Sequence, residues 1–169
     1  MSELRTNKIY PRDGLPAGAS GGGIVQVVQE IFTTVSTVSS TSFVDVGLSA
    51  SITPTSSSNK ILVIGDISSS GANGQYTMFQ LVRGSTNIYL GTSSKTYIGS
   101  KVWYPASDNA ADGEAIGNTN MFFLDSPATT SAVTYNIQMR VTGSSSILNG
   151  RASDDTSLAS SITLMEVSG

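Results

Sequence analysis

The sequence predicts an all-β protein, an antiparallel jelly-roll-like β-sandwich that follows an extended N-terminal segment. Apolar and polar residues alternate with period 2 in several stretches, and clusters of Ser, Gly, Asn and Pro separate those stretches. Apolar residues do not recur with helical spacing over ten residues behind a capping residue. Eight or more short strands fit two packed sheets, and 169 residues suit one such domain with an appendage.

The alternation is clearest in VDVGLSASI (44–52) and VTYNIQMRV (133–141), each of which predicts a half-buried strand. The stretch KILVIGDI (60–67) is apolar on both faces, which predicts a central strand covered on each side. SSITLMEV (160–167) predicts a further strand. Other strands are expected at 24–35, 76–83, 86–91, 95–104 and 118–125, and helix is limited to a turn or two near 107–115.

The composition excludes several classes of function. Only 12% of the residues are charged, and the nine basic residues do not cluster, so the chain lacks the basic patch that nucleic-acid binding requires. The absence of His and Cys removes the commonest general base, thiolate metal ligands and disulfides. No apolar run approaches the roughly 20 residues of a membrane span. We therefore expect a non-enzymatic protein with no cofactor, no membrane insertion and no ordinary secretory signal.

Hydroxyl side chains supply most of the polarity, since the chain has 29 serines and 18 threonines. The outward faces of the predicted strands carry Ser, Thr, Asn and Gln, where a monomer would normally carry Lys and Glu. Such neutral faces lose little hydration free energy when a copy of the same chain covers them. The pattern favours a homo-oligomer, with a closed cyclic assembly as the default.

Residues 1–23 form a separate leading segment. It contains PRDGLPAGASGGG, and its large apolar side chains are too few to close a core, so the segment alone is expected to be extended. Two alternatives stay open: a tail without order, or a segment that becomes ordered against a larger assembly. The candidate anchoring residues for the second alternative are Leu4, Ile9, Tyr10 and Leu15. The domain boundaries are then 1–23 for the anchor and 24–169 for the head.

Three stretches carry a family resemblance: SELRTNKIYPRDGLPAGASGGGIVQVV, TSFVDVGLSASITPTSSSNKILVIGDIS and SSITLMEV. Together they resemble small virion proteins of tailed phages of marine and freshwater bacteria, especially cyanobacteria. The resemblance implies that residues 1–23 attach to the virion and that 24–169 form a trimeric β-sandwich head at the particle surface. Similar modules occur on tail fibres, head fibres and capsid surfaces, so the mounting point stays open. A carbohydrate-binding module and a small glycan hydrolase are the alternatives from other classes.

An acidic cluster, SDNAADGEAIGN, contains Asp108, Asp112 and Glu114, and Asp154 and Asp155 form a second one. Calcium takes six to eight oxygen ligands, and the first loop offers three carboxylates and an Asn side chain. The spacing of a calcium-binding loop is missing, so a solvated surface loop is expected, and ion binding at 108–114 stays open. Two carboxylates at a set separation are also what glycoside hydrolysis needs, but any β-protein with 12 acids offers such pairs.

The stretch KVWYP (101–105) carries the only tryptophan. Trp103 and Tyr104, with Tyr97 or Tyr89, are candidates for contact with a host glycan or receptor, because aromatic rings stack on sugar faces. Successive strand residues point to opposite faces, so at most one of Trp103 and Tyr104 is expected to be exposed. The alternative is an aromatic residue of the core or of a subunit interface.

Overall fold

The computed structural model describes residues 23–72, 74–92, 95–96, 98–105, 114–153 and 155–169. These residues form eleven β-strands and no helix, and among them no helix is long and apolar enough to cross a membrane. The strands are β1 (Ile24–Phe32), β2 (Ser36–Val38), β3 (Val44–Ile52), β4 (Lys60–Gly71), β5 (Thr77–Arg83), β6 (Thr86–Ile88), β7 (Lys101–Trp103), β8 (Ala115–Asp125), β9 (Val133–Val141), β10 (Ser146–Leu148) and β11 (Ser160–Val167).

The strands form two antiparallel sheets. Sheet A has the order β1-β11-β4-β10-β2, with β8 on the other side of β4. Sheet B has the order β3-β9-β5-β6, and β7 also pairs with β5. Every named strand pair is antiparallel. The predicted all-β, two-layer architecture is therefore confirmed.

The core lies between the two sheets, and the period-2 pattern accounts for it. In β3 and β9 alternate residues are buried, as the sequence predicts, although Val44 at the start of β3 is 36% exposed. Strand β4 contributes Ile61, Val63 and Ile67, all fully buried. The core is completed from both sheets by Leu48, Phe79, Leu81, Met121, Tyr135, Ile137, Met139, Leu148, Ile162 and Leu164.

Several predicted boundaries are wrong. The strand expected at 95–104 is reduced to β7. Just before β7, the Ser100 N–H donates to the Phe79 carbonyl of β5. The next N–H of that edge, from Leu81, donates to the Ser100 hydroxyl and not to a backbone carbonyl, so the regular ladder ends there. The short strands β2 and β10 were not expected, since three residues give no readable alternation. The helical turn expected near 107–115 falls mostly outside the described residues, and Ala115 begins β8.

The register places the start of the described chain at one end of the sandwich. Ile24 pairs with Val167, and Val167 pairs with Lys60, the first residue of β4. The backbone N–H of Ser168 donates to the carbonyl of Gly23 at 3.0 Å. We call this end, which Gly23 and Lys60 mark, the proximal end.

The opposite end is where β4 finishes. Gly71 pairs with Ala115, the first residue of β8, and Thr77, the first residue of β5, pairs with Trp103, the last residue of β7. A Cβ on Gly71 would lie 2.9 Å from the Thr77 hydroxyl, so the ends of the two sheets meet here. We call this the distal end, and the connections after β4, β7 and β9 lie on it.

The outer faces of the two sheets differ. The outer face of sheet B is polar and hydrogen-bonded, with Ser51 against Thr134 at 2.7 Å and the Asn136 amide donating to Asp45 at 3.0 Å. The outer face of sheet A carries exposed Val, Ile, Leu and Phe side chains. The prediction of neutral polar outward faces is therefore wrong for sheet A. Within the described chain one face of β4 packs on sheet B, and Leu62 and Ile64 on its other face stay half-exposed, so the predicted covering of the second face stays a prediction.

Candidate functional site

The distal end carries an aromatic pair that includes one of the two predicted contact residues. Tyr104, just after β7, is 45% exposed. Its ring centroid lies 4.7 Å from that of Tyr76, which precedes β5, and the two rings are tilted by 38°. The sequence did not indicate Tyr76 as a partner, because it belongs to a different connection. The two rings form a small exposed aromatic surface of the kind that stacks on a sugar.

Trp103 points the other way, as the alternation of a strand requires. Its indole packs on the ends of β4 and β8, where Gly71 and Gly117 leave room for it. The ring contacts the hydrophobic core and is half-buried. Of the two predicted contact residues, Tyr104 is therefore the more exposed, and Trp103 is largely a packing residue of the distal end.

Hydrogen bonds fix the connections that carry the tyrosines. The Gly74 N–H donates to the Pro105 carbonyl at 3.2 Å, which joins the connections after β4 and β7. The Tyr76 N–H donates to the Thr142 hydroxyl at 2.9 Å, and the Thr142 N–H donates back to the Tyr76 carbonyl at 3.1 Å. The aromatic surface is thus held in place by backbone bonds, which reduces the entropy lost when a ligand binds.

Replacing Gly117 with alanine is expected to displace Trp103. A Cβ at this position would overlap the indole ring, and overpacking of this kind costs about 1–3 kcal/mol. Because Trp103 is the only tryptophan, its fluorescence reports the change directly, and we expect a red shift together with a lower melting temperature. Gly91→Ala is the matched control, since no atom lies within 4 Å of a Cβ there. An unchanged emission spectrum in Gly117→Ala would contradict the packing described.

Tyr89 does not extend this surface. Tyr89 is half-buried and stacks on Phe123 with a centroid distance of 5.0 Å, and the Lys101 ammonium lies 5.5 Å from the Tyr89 ring centroid. Tyr97 lies outside the described residues. The predicted participation of Tyr89 in an aromatic platform with Trp103 and Tyr104 is therefore not supported, because its ring serves the packing of β8.

The acidic clusters are only partly described. Asp108, Asp112 and Asp154 lie outside the described residues, so ion binding by the 108–114 loop stays a prediction. Glu114 accepts a hydrogen bond from Ser153 at 3.2 Å and lies 3.6 Å from Arg151, which also pairs with Asp155. Within the part of the chain that the structure describes, no three acidic side chains come together as a metal site would require.

Two carboxylates are buried, and each has its lone pairs occupied by donors. Glu166 on β11 and Asp125 on β8 are 0% and 6% exposed. Glu166 bonds side chains of the β3–β4 connection, and Asp125 bonds Tyr135 and Arg83 of sheet B. No pattern in the sequence indicated either cluster. Because both carboxylates are enclosed in fixed bonds, they act as structural groups that join separate strands.

A cleft of about 330 Å³ opens at the proximal end, away from the tyrosine pair. Its lining consists of Arg83, Gly84, Pro127, Thr129, Ala132, Val133 and Thr134. The only charged side chain of this lining, Arg83, already pairs with Asp125 at 2.8 Å. The cleft therefore offers little free charge for an anionic ligand.

The four predicted anchoring residues, Leu4, Ile9, Tyr10 and Leu15, lie outside the described residues, so their role stays a prediction. The described chain shows only where their segment joins the head, at Gly23. No protein-family model matches the sequence, and no curated protein is significantly similar to it.

Proposed function

We propose that this chain is a non-enzymatic structural protein of a phage virion, a homotrimeric tail-fibre-type appendage that displays a jelly-roll-like β-sandwich at the particle surface for host attachment. Residues 1–23 bind other virion proteins, and the head faces outward toward a host glycan or receptor. The strand order of sheet A, which alternates early and late strands of the chain, and the position of β9 between β3 and β5 in sheet B support the jelly-roll-like description.

One observation carries the proposal. The leading segment joins the head at the proximal end, next to Ser168, and the exposed tyrosine pair lies at the distal end. An appendage needs this polarity, because the end that grips the particle cannot also face the host. The family resemblance of the sequence adds the assignment to a virion, and it leaves tail fibre and capsid fibre as alternative mounting points.

The anchor is tested by deleting residues 1–23. We expect the truncated protein to be absent from purified particles while its circular dichroism spectrum and melting temperature stay those of the full chain. Normal incorporation of the truncated protein would remove the anchoring role. The position of the chain in an image of the intact particle then distinguishes a tail fibre from a capsid fibre.

The attachment role is tested with Tyr104→Ala. A loss of about 1.4 kcal/mol of binding free energy weakens the affinity tenfold, and removal of one stacking side chain costs at least this much at a contact site. We therefore expect binding to host cells or to a glycan array to fall at least tenfold. The matched control is Tyr89→Phe, which keeps the ring that packs on Phe123. Equal cell binding by Tyr104→Ala and the wild type would remove the tyrosine pair as the contact site, and turnover of a host polysaccharide would overturn the non-enzymatic assignment.

A further inference from the structure

The outer face of sheet A carries apolar side chains on β1, β11, β4 and β8, interrupted by Gln29 and Thr163, which bond each other at 2.9 Å. The pairing register aligns Val27, Met165, Leu62 and Leu124 in one row, and Gln29, Thr163, Ile64 and Phe122 in the next. We define the sheet A patch as Val27, Ile31, Leu62, Ile64, Phe122, Leu124 and Met165. Ile31 is 65% exposed and Phe122 61% exposed, so no described part of the chain covers them.

No residue of the sheet A patch is charged. The nearest charges on β4 are Lys60 and Asp66, which lie on either side of Leu62 and Ile64 along the strand. Asp66 accepts a hydrogen bond from the Asn118 amide at 2.7 Å, at the border of the patch. Sheet B differs, because its outward polar side chains bond to one another. The two outer faces therefore have different chemistry, and only that of sheet A resembles an interior.

The size of the patch suits the centre of a protein interface. Four strands spaced by about 4.8 Å and the four residue steps of about 3.3 Å from Val27 to Ile31 give an area of roughly 200–250 Å² in projection. Contiguous exposed apolar patches that reach a few hundred Å² mark interaction sites on monomers. Stable interfaces bury about 800 Å² per partner around an apolar centre, and homo-oligomer interfaces are the more apolar ones.

We propose that a second copy of this chain packs on the sheet A patch. An uncharged apolar surface has no charge pattern to mismatch, so it can pack against other copies of the chain arranged about a symmetry axis. The inference rests on the proposed function in one respect, since it supplies the interface of the homo-oligomeric head. It also gives a reason for the sequence KILVIGDI: β4 is apolar on both faces because one face meets sheet B and the other meets a neighbouring copy.

The leading segment is the weaker candidate to cover the patch. Beyond Met1, its large apolar side chains are Leu4, Ile9, Tyr10 and Leu15, fewer than the seven of the patch. The eight residues that precede Ile24, PAGASGGG, carry no side chain larger than proline. The part of the chain nearest the patch therefore offers almost no apolar area to bury.

The test compares the association state of full-length variants by sedimentation equilibrium. Phe122→Glu places a charge on the β8 side of the patch, at a side chain that is 61% exposed, and we expect its dissociation constant to rise at least 100-fold. Val102→Glu is the matched control, because Val102 is 52% exposed on sheet B, and it should associate as the wild type does. A monomeric wild type, or unchanged association of Phe122→Glu, would overturn the inference. A monomer would leave the leading segment or another protein as the occupant.

Single cysteines provide a second test that does not depend on the folding of Phe122→Glu. The natural chain has no cysteine, so Gln29→Cys in the second row of sheet A and Ser51→Cys on sheet B each introduce one thiol. A short bifunctional maleimide should link copies at position 29 and not at position 51, and the reverse result would overturn the inference. Association through the patch in a protein absent from particles would remove the proposed function alone, whereas an oligomer found in particles whose association is unchanged in Phe122→Glu would remove the inference alone.

Discussion

Replacing Glu166 with alanine is expected to lower the free energy of unfolding by about 3 kcal/mol, since buried hydrogen bonds to a charged group contribute about 1.5–3 kcal/mol each when removed. Glu166 Oε1 accepts bonds from the Thr55 N–H at 2.7 Å, the Thr55 hydroxyl at 2.8 Å and the Asn59 amide at 2.6 Å. Its Oε2 accepts the Gln26 amide at 2.5 Å. Alanine would leave these donors without their acceptor. The β3–β4 connection, which carries Thr55 and Asn59, would then lose its bonds to β11.

The same carboxylate makes stability depend on pH. Burial by itself would raise the pKa of Glu166, but the bonds from Asn59, Gln26 and Thr55 outweigh it and lower the pKa from the ordinary 4.5 to about 2. The unfolded chain therefore takes up the proton first as pH falls. The contribution of Glu166 to stability is complete above pH 4.5 and is lost as pH falls toward 2.

Chemical denaturation between pH 7 and pH 2 measures both effects. Glu166→Gln has nearly the same size but cannot ionise, so it should lose part of the stability at pH 7 and show a shallower acid dependence than the wild type. Glu30→Gln on the exposed edge of β1 is the matched control and should change neither quantity by more than about 0.5 kcal/mol. An acid dependence in Glu166→Gln equal to that of the wild type would contradict the assignment.

The fold could be predicted where burial follows local alternation. In β9, Tyr135 and Ile137 are buried and Thr134 is exposed, because a strand with one face on a core needs no more than period 2. Three-residue strands such as β10 could not be found this way. Their burial comes from neighbours that are distant in sequence: Leu148 pairs with Ser69 of β4 and with Ser36 of β2.

The chemistry of the sheet faces depends on pairing, which the sequence does not state. Val27 and Leu124 lie 97 positions apart, and they share a row only because β11 and β4 lie between their strands. The sequence therefore showed hydroxyl-rich strands and missed the apolar face of sheet A. One local sign was present, since Leu62 and Ile64 alternate with the buried Ile61 and Val63 and leave β4 without a polar face over four residues.

The candidate site could be predicted only in part for the same reason. The alternation of strand residues predicts that Trp103 and Tyr104 point to opposite faces. In the structure Trp103 packs on the core and Tyr104 is exposed, as predicted. The contact between Tyr104 and Tyr76 depends on how the connections after β4 and β7 bond each other through Gly74 and Pro105. No spacing along the chain encodes that contact.

Replacing Asp125 with alanine is the other change with a large expected effect, about 3 kcal/mol of unfolding free energy, because it leaves the buried Tyr135 hydroxyl without an acceptor and removes the carboxylate that pairs with the partly buried Arg83. Asp125 ends β8 of sheet A and bonds two strands of sheet B. Its carboxylate accepts hydrogen bonds from Arg83 Nη1, at 3.0 Å to Oδ1 and 2.8 Å to Oδ2, and from the Tyr135 hydroxyl, at 2.7 Å to Oδ2. Burial, the hydrogen bond to Asp125 and the charge of Asp125 raise the pKa of Tyr135 far above its ordinary value, so the phenol is protonated and donates to Asp125 at neutral pH.

Tyr135→Phe is the control that separates the two bonds. It keeps the buried ring and removes only the hydroxyl, so the expected loss is about 1–2 kcal/mol. In the double variant of Asp125→Ala and Tyr135→Phe, the phenol that would be left unpaired is absent. The combined loss should therefore be smaller than the sum of the single losses by about 1 kcal/mol, as in a double-mutant cycle of contacting groups. Strictly additive losses in urea denaturation would mean that the two side chains act separately, and that the carboxylate joins the sheets through Arg83 alone.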